Sequence, residues 1–297
     1  MTAGEHGLCG FVINTIDIAD RNSSMFFKRV LDGMRDELAR HGFDLVIFPG
    51  PSGEDMLDYL RRVVERRHID GVAIAETLSN DPRINYLSMS GIPFVTFGKS
   101  GTPGPYTWVD IDFPGMVRDA VSRFHAKGHR KIAISVPRLD LDLYYSNACY
   151  VEYQAAIAEL GLEFRPDYVF ISGENMRDNG WKIAQTIVDM ADPPTAIVNL
   201  DDEISPGISE SLIKLNRVPG QDLAILGVVP EPQAGMQPSF IGGYWFNLEG
   251  IGHAIATNLL SSIAHTRDSS RGAPGNVVYP LTYLDGESAA FGPRSLA

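Results

Sequence analysis

The side chains that could carry out catalysis or bind a metal do not form a complete site in this sequence. The segment 207–211 (GISES) lacks the final glycine of the G-x-S-x-G turn that exposes a nucleophilic serine, and its Ser209 is predicted to lie in a helix. His125 and His129 have no third ligand nearby in the sequence, and we interpret them as a surface pair at a helix end. No G-x-G-x-x-G follows the first predicted strand, and no G-x-x-x-x-G-K-[ST] occurs. We therefore predict a protein that is not an enzyme, with no metal and no cofactor.

Two groups of carboxylates remain as candidates for polar recognition. Asp140 and Asp142 indicate a polar loop. Asp201, Asp202 and Glu203 directly follow a predicted strand. There Asp202 could bind a hydroxyl-rich ligand, or it could cap the following helix. The sequence leaves both possibilities open.

The positive evidence for a binding site is the set of residues that follow or end the predicted strands. They are Asn14 and the pair Phe26 and Phe27 after the first strand, Gly98 and Lys99 after the fourth, Asn175, Asp202 and Val229 in the second half, and Trp245 and Phe246 in a predicted crossing strand. Aromatic faces with a few polar groups suit a small ligand with apolar ring faces, such as a sugar. The alternative is that the aromatic rings pack in the core, which stays open for Phe27 and Phe246. Trp245 also carries an indole N–H that needs a partner.

Short apolar segments bounded by Gly, Pro or Asp alternate with helical patterns along the chain. The predicted strands are 8–14, 44–48, 71–75, 93–97, 132–136, 168–172, 196–200 and 223–227. The predicted helices are 24–40, 56–64, 84–89, 147–160, 179–190, 208–215 and 248–263. This alternation is typical of parallel sheets with right-handed crossovers. It predicts an α/β protein of two doubly wound, Rossmann-like lobes.

Residues 109–137 connect the two similar sets of elements. Val117, Ala120, Val121 and Phe124 recur at helical spacing, Gly128 ends that helix, and an apolar strand follows. The aromatic segment PSFIGGYWFNLEGIG at 238–252 breaks the alternation, and we expect it to return to the first lobe. Ligands of open α/β sheets bind at the carboxyl ends of the strands, so the sequence predicts a site in a cleft where the strand ends of both lobes meet.

Composition narrows the function classes. The 297 residues carry a formal net charge of −12, which argues against DNA binding through the surface of this chain itself. Cys9 and Cys149 are expected to be buried thiols without a disulfide framework. The first residues, MTAGEHGLCG, do not form a secretory signal, and no apolar run is long enough to span a bilayer, so a cytoplasmic protein is expected.

Several segments resemble the effector-binding domain of lactose-repressor-type (LacI/GalR) transcriptional regulators. They are SSMFFKRVLDGMRDELARHGFDLVI, IDGVAIAE, IPFVTFGK, VDIDFPGMVRDAVSRFHAKGHRKIAIS, PTAIVNLDDEISPGI and VPGQDLAILG. The resemblance extends from about Leu8 to Ser288. It implies a periplasmic-binding-protein-like fold of type I, with three crossovers between the lobes. It also implies a cytoplasmic homodimer that binds a small effector in the cleft and controls DNA binding allosterically.

The resemblance assigns roles to individual positions. Phe26 and Phe27 occupy the aromatic pair at the mouth of the cleft, Gly98 follows the fourth strand, and Asp202 occupies an acidic position. For the lobes we expect residues 7–111 with 242–275, and residues 112–241 with 276–297. The helix-turn-helix headpiece of the family is expected to be absent, so that operator DNA would be bound only through a segment missing from this chain.

Three positions depart from the family pattern. Many family members have an arginine at the position of Cys149, an aspartate at that of Val229 and an asparagine at that of Phe113. These three polar residues often contact the effector in the family. A thiol cannot replace the bidentate contact of an arginine. We therefore predict a less polar effector, or one held by other groups, for which Arg138, Asn147 and Asn175 are the candidates.

Two other functions are weighed against a regulator. A solute-binding protein of a transporter would share the fold, and the missing signal peptide disfavours it. A sugar-processing enzyme would need a paired acid and base, and the sequence offers no such pair.

Overall fold

The computed structural model describes residues 6–13, 21–50, 55–66, 68–173, 175–231 and 240–293, without the side chains of residues 21–25 and 140. The predicted site residue Asn14 lies outside these ranges. The chain divides into two units, which are Met1–Ile111 with Asn247–Tyr279 and Asp112–Phe246 with Pro280–Ala297. The backbone therefore passes from one unit to the other three times. Each unit contains one six-stranded sheet.

The first unit is a parallel sheet with the strand order β11-β5-β4-β3-β1-β2. Its strands are β1 (Leu8–Ile13), β2 (Asp44–Pro49), β3 (Gly71–Ile74), β4 (Phe94–Phe97), β5 (Trp108–Ile111) and β11 (Val277–Tyr279). Its helices are α1 (Arg21–Arg40), α2 (Met56–Glu65), α3 (Pro82–Ser90) and α8 (Leu248–Arg267). One apolar cluster packs α2 and α3 against the sheet, with Leu60, Val72 and Ile84 fully or almost fully buried.

The second unit has the strand order β12-β10-β9-β8-β6-β7, with only β12 antiparallel to its neighbour. Its strands are β6 (Ile132–Pro137), β7 (Val169–Ser172), β8 (Ala196–Asn199), β9 (Ala224–Val228), β10 (Gly242–Trp245) and β12 (Thr282–Leu284). Its helices are α4 (Phe113–Ala126), α5 (Tyr144–Glu159), α6 (Met176–Asp189) and α7 (Ile204–Lys214). The cluster around Ile197, Ile183 and Ile208 packs α6 and α7 against this sheet.

A pair of glycines brings two helices into close contact in each unit. A Cβ on Gly252 of α8 would lie 2.0 Å from the carbonyl oxygen of Val30 in α1. A Cβ on Gly207 of α7 would lie 2.3 Å from the carbonyl oxygen of Arg177 in α6. Only a residue without a side chain permits these approaches.

The predicted crossing segment is well explained by local interactions. The carboxylate of Asp112 accepts a hydrogen bond from the Gly115 amide at 3.0 Å and so caps α4. Gly128 ends the helix region with φ +95°. The His129 ring then turns inward against Phe124, so His129 is buried and is not part of the predicted surface pair with His125.

The boundaries between the units differ from the predicted ones in two places. Residues 242–245 were expected in the first lobe, but they form β10, which pairs with β9 of the second sheet. Residues 276–297 were expected in the second lobe, but Val277–Tyr279 pairs with β5 of the first sheet. Pro280 ends that strand because it lacks the amide that a continued ladder needs, and the chain then enters β12 of the second unit.

No helix in the described ranges is both long enough and apolar enough to cross a membrane.

Candidate functional site

An aromatic cluster lies at the carboxyl end of the first sheet. Phe26 and Phe27 of α1 are half-buried, and their ring centroids lie 5.2 Å apart. The ring of Phe97, the last residue of β4, stacks nearly parallel to that of Phe26 at 6.1 Å and meets Phe27 edge-on at 6.4 Å. Phe27 also contacts Phe11 of β1, so it contributes both to the core and to the cluster.

Gly98 and Lys99 directly follow β4. Gly98 has φ +107°, and a Cβ there would lie 2.9 Å from the hydroxyl of Thr77, so the turn requires glycine. The Lys99 ammonium lies 4.6 Å from the centre of the Trp108 ring and 3.9 Å from a carboxylate oxygen of Asp110. The charge of Lys99 is therefore engaged within the first unit by an aromatic face and a carboxylate.

A second aromatic cluster lies at the carboxyl end of the second sheet. The Phe113 ring, at the start of α4, lies 5.8 Å from the ring of Tyr145 and 5.7 Å from that of Phe246. Phe246 is only 6% exposed, which favours the packing role that the sequence left open. Trp245, the last residue of β10, is half-buried, and its indole N–H has no hydrogen-bond partner among the described residues.

The loop between β6 and α5 has a left-handed residue at each end of a single 3-10 turn. Arg138 has φ +47° and Asp142 has φ +54°. The Arg138 amide donates to the carbonyl oxygen of Ser172 at 2.9 Å, which fixes the loop to the end of β7. The Asn147 side chain donates to the Asp142 carboxylate at 2.6 Å. Arg138 thus begins this loop, and Asn147, in the first turn of α5, is bonded to the residue that ends its 3-10 turn.

Asn175 caps α6. It has φ +57°, and its side-chain oxygen accepts a hydrogen bond from the Asp178 amide at 3.3 Å. Its side chain therefore already has a structural role.

Asp202 does not cap the helix that follows it. Helix α7 begins at Ile204 without a side-chain cap, and it is Asp201 that accepts a hydrogen bond from the Glu203 amide, at 2.9 Å. The capping alternative for Asp202 is thus wrong. Partial burial of its carboxyl group and the negative charge of Glu203 raise the pKa of Asp202, although the residue as a whole remains exposed.

Two of the three residues that are expected to depart from the family pattern are buried. Cys149 of α5 has no exposed surface, and Val229, after β9, is 6% exposed. The Val229 amide continues the ladder by donating to the carbonyl oxygen of Tyr244 at 3.0 Å. Neither residue presents a charge or a strong hydrogen-bonding side chain.

Backbone strain is concentrated at the strand ends. Among the described residues, five that are not glycine have positive φ: Glu76, Arg138, Asp142, Asn175 and Asn216. The first four lie in loops that follow β3, β6 and β7, and only Asn216 lies elsewhere, at the end of α7. Strained residues of this kind cluster at functional sites, because the surrounding structure must maintain them at a cost.

The sequence reasoning missed several residues at these edges. Tyr145 and Phe97 belong to the two aromatic clusters, and Glu76 carries strain after β3. The sequence Asp81-Pro82 could have drawn attention to its loop, because an aspartate followed by a proline is typical of a helix cap and the first helical position. In the part of the chain that the structure describes, no three His, Cys, Asp or Glu side chains are arranged to hold a metal ion.

Comparison with known proteins identifies the family. A family model described as periplasmic binding proteins and sugar binding domain of LacI family matches residues 15–274. HTH-type transcriptional regulator RafR from Escherichia coli is 31% identical over 207 residues, which are 70% of this chain and 60% of RafR. HTH-type transcriptional regulator AglR from Rhizobium meliloti (strain 1021) is 30% identical over 208 residues, which are 69% of this chain and 57% of AglR. The match thus spans about three fifths of these relatives.

Solved structures share the fold. A putative transcriptional regulator from Yersinia pestis biovar Microtus str. 91001 has a TM-score of 0.82 and 22% identity, and the match covers 97% of this chain and all of that one. A complex of the transcriptional regulator CelR with cellobiose has a TM-score of 0.79 and 22% identity, with coverage of 95% and 84%. These likenesses confirm the predicted fold class of two doubly wound lobes. Because the family model matches most of its length, this chain belongs to the family of periplasmic binding proteins and LacI-type sugar-binding domains.

Proposed function

We propose that this chain is the ligand-sensing part of a transcriptional regulator, and that it binds a small sugar-like molecule at the carboxyl ends of its strands. The observation that carries the proposal is the cluster of aromatic rings at those ends in each unit, accompanied by strained residues, of which Glu76 lies in the first unit and three lie in the second. Strained loops and partly exposed ring faces are costly for a purely structural edge, whereas a ligand site makes use of both.

The second unit supports a ligand of lower charge than a bidentate arginine would bind. Cys149 and Val229 are buried and apolar, and Phe113 packs into an aromatic cluster. We assign the polar contacts in this unit to Arg138 in the loop after β6, to Asn147 in the first turn of α5 and to the exposed Asp202. A neutral saccharide or glycoside fits this set, because it combines hydroxyl groups with apolar ring faces.

A regulator is favoured over a solute-binding protein because the similar curated proteins are named as HTH-type transcriptional regulators. In this proposal the protein acts as a homodimer in the cytoplasm and performs no catalysis. Ligand binding shifts the population between two conformations. That shift changes the DNA affinity of a helix-turn-helix segment. The names of the relatives indicate such a segment in those proteins, and we propose one for the complete regulator.

The test is native mass spectrometry of the purified chain, followed by calorimetric titration with a saccharide panel that includes cellobiose. We expect a one-to-one complex that dissociates on denaturation. Phe26→Ala should weaken binding by about tenfold, since burying an aromatic face stabilises a complex by on the order of 1 to 3 kcal/mol. The matched control is Phe291→Ala, an exposed ring in the second unit that lies after the last 3-10 turn.

Two results would contradict this proposal. If the panel gave no complex at millimolar concentration, the sugar-like ligand class would be wrong. If the bound compound were chemically converted, the protein would be an enzyme.

A further inference from the structure

The carbonyl oxygens that follow β3 and β4 are satisfied from inside the first unit. Six of them accept hydrogen bonds from side chains of the same unit: Ala75 and Glu76 from Arg83, Leu78 from Ser100, Gly98 from Thr96, Lys99 from Thr77, and Ser100 from Tyr106. The distances that define this arrangement include 2.9 Å from the Arg83 guanidinium to the Glu76 oxygen and 2.7 Å from the Thr96 hydroxyl to the Gly98 oxygen. We call Thr77, Arg83, Thr96, Ser100 and Tyr106 the carbonyl frame.

An ion pair without solvent contact holds the frame in place. The Arg83 side chain is 2% exposed and that of Asp81 is not exposed, and their closest atoms lie 2.6 Å apart. Asp81 in turn accepts hydrogen bonds from the Leu78 and Arg83 amides, while its own amide donates to the Thr102 hydroxyl. A buried ion pair costs much desolvation energy and rarely adds net stability, so we assign this pair a role in fixing the loop that follows β3.

The frame fixes the turn that brings ring surface to this edge. The carbonyl groups of residues that follow a parallel strand have no partner within the sheet and take their donors from elsewhere. After β3 and β4 these donors include Arg83, Thr77 and Thr96. The turn that they fix directly follows Phe97, whose ring contacts those of Phe26 and Phe27.

We propose that Thr77 is a positioning residue for ligand binding, because it fixes the turn after β4 and so holds the Phe97 ring against Phe26 and Phe27 at the strand ends of the first unit. This inference rests on the proposed function. Thr77 acts through the Gly98–Lys99 backbone, because its hydroxyl donates to the Lys99 oxygen and stands where a Cβ on Gly98 would lie. The turn that carries Phe97 to the edge is thereby fixed.

The experiment compares Thr77→Val, which removes the hydroxyl group, with Thr77→Ser, which keeps it. The control is Thr186→Val, which removes a similar hydroxyl-to-carbonyl bond from α6 of the second unit. Amide hydrogen exchange is measured first, without ligand. Thr77→Val should speed exchange at Gly98 and Ser100, whose amides bond to Val109 and Tyr106, by about tenfold. The Val72 amide, bonded to Pro93 in the same sheet, should not change.

Equal acceleration at Val72 would indicate general destabilisation, and unchanged exchange at Gly98 would mean that the frame does not hold the turn. Either result overturns the positioning role. The positioning role is supported if Thr77→Ser restores slow exchange at Gly98 and Ser100 and if Thr186→Val leaves exchange at both amides unchanged.

The second arm is calorimetric titration with cellobiose as the probe. Thr77→Val should weaken its binding about fivefold at an unchanged melting temperature, and Thr77→Ser should restore it. Unaltered affinity would overturn the link between the frame and the ligand. If cellobiose failed to bind even the unmodified chain, that result would count against the proposed sugar class, while the exchange arm would still judge the frame.

Discussion

The two units share one architecture and differ in the chemistry of their strand ends. Each has a six-stranded sheet and a pair of helices brought together by glycine. In the first unit, the loops after β3 and β4 are tied together by the buried Asp81–Arg83 pair and its hydroxyl partners. In the second unit, the loop after β6 has two left-handed residues, one buried hydrogen bond from the Ser146 hydroxyl to the Pro137 oxygen, and an exposed contact between Asn147 and Asp142, but no buried ion pair among the residues described there. The topology therefore determines where the strand-end loops lie, whereas the local side chains determine how firmly each loop is held and which polar groups it carries.

The largest difference in stability between changes in the two units should come from the substitution Arg83→Met. This change leaves Asp81 charged and buried without its partner, and it should lower the free energy of unfolding by about 3 to 5 kcal/mol. The matched change in the second unit is Arg118→Met, which removes ion pairs of a half-exposed arginine with Glu152 and Glu159. It should cost about 1 kcal/mol or less. Urea unfolding followed by circular dichroism measures both, and equal losses would contradict the distinction between the two units.

The close helix contacts at Gly252 and Gly207 should respond alike to substitution by alanine, because each glycine packs against the backbone of a neighbouring helix. Gly252→Ala in the first unit and Gly207→Ala in the second should each destabilise the chain by about 1 to 3 kcal/mol, since the added methyl group meets a backbone oxygen that cannot move away. Gly272→Ala is the control, because a Cβ there meets nothing within 4 Å. Thermal unfolding would reveal a flaw in this account if either contact tolerated alanine as well as Gly272 does.

Acid should weaken the second unit through His129. The ring donates from Nε2 to the carbonyl oxygen of Phe291 at 3.1 Å and lies 2.9 Å from the Thr195 hydroxyl through Nδ1. Burial lowers the pKa of His129, so the folded state binds fewer protons than the unfolded state. Stability is then complete above the ordinary histidine pKa of about 6.5 and falls as the pH drops below it. Urea midpoints at pH 7.5 and 5.5 measure the loss, which should be smaller in His129→Gln; an equal loss in that variant would exclude this histidine as the cause.

The smallest effect concerns the two thiols, one in each unit. Burial, followed by the charge of Asp70, raises the pKa of Cys9 to about 12, and both Cys9 and Cys149 have no exposed surface. A thiolate is the reactive form, so neither residue should react with a disulfide reagent at pH 8 until the chain is unfolded. Rapid labelling of Cys149 in the native chain would show that the region around α5 opens, and it would weaken the claim that this position offers only apolar surface.

Much of the fold could be predicted because its elements are local. The eight predicted strands agree closely with β1 to β4 and β6 to β9, and α1 and α8 begin within a few residues of their predicted starts. The predicted boundaries were wrong where a capping residue or a pairing strand determines the observed boundary. Helix α6 begins at Met176 because Asn175 caps it, three residues before its predicted start. The strand at 242–245 was assigned to the wrong unit because its pairing with β9 is a long-range property that no local pattern reveals.

The site was predictable only in part, for the same reason. The positions of Phe26, Gly98 and Asp202 follow from their place after strands, and the structure keeps them at strand ends. The partners of these strand-end residues do not follow, since Lys99 turns onto Trp108 and α7, after Asp202, begins without a side-chain cap. The carbonyl frame joins residues from two separate loops, and a single sequence carries little trace of such contacts.

The most direct test of the account is amide hydrogen exchange of the unmodified chain with and without the ligand found by mass spectrometry and titration. We predict that the ligand slows exchange in both sets of strand-end loops, residues 76–81 and 98–102 of the first unit and residues 138–142 and 201–203 of the second. Protection confined to one unit, or found instead at the surface groove lined by Trp181 and Lys214, would contradict it.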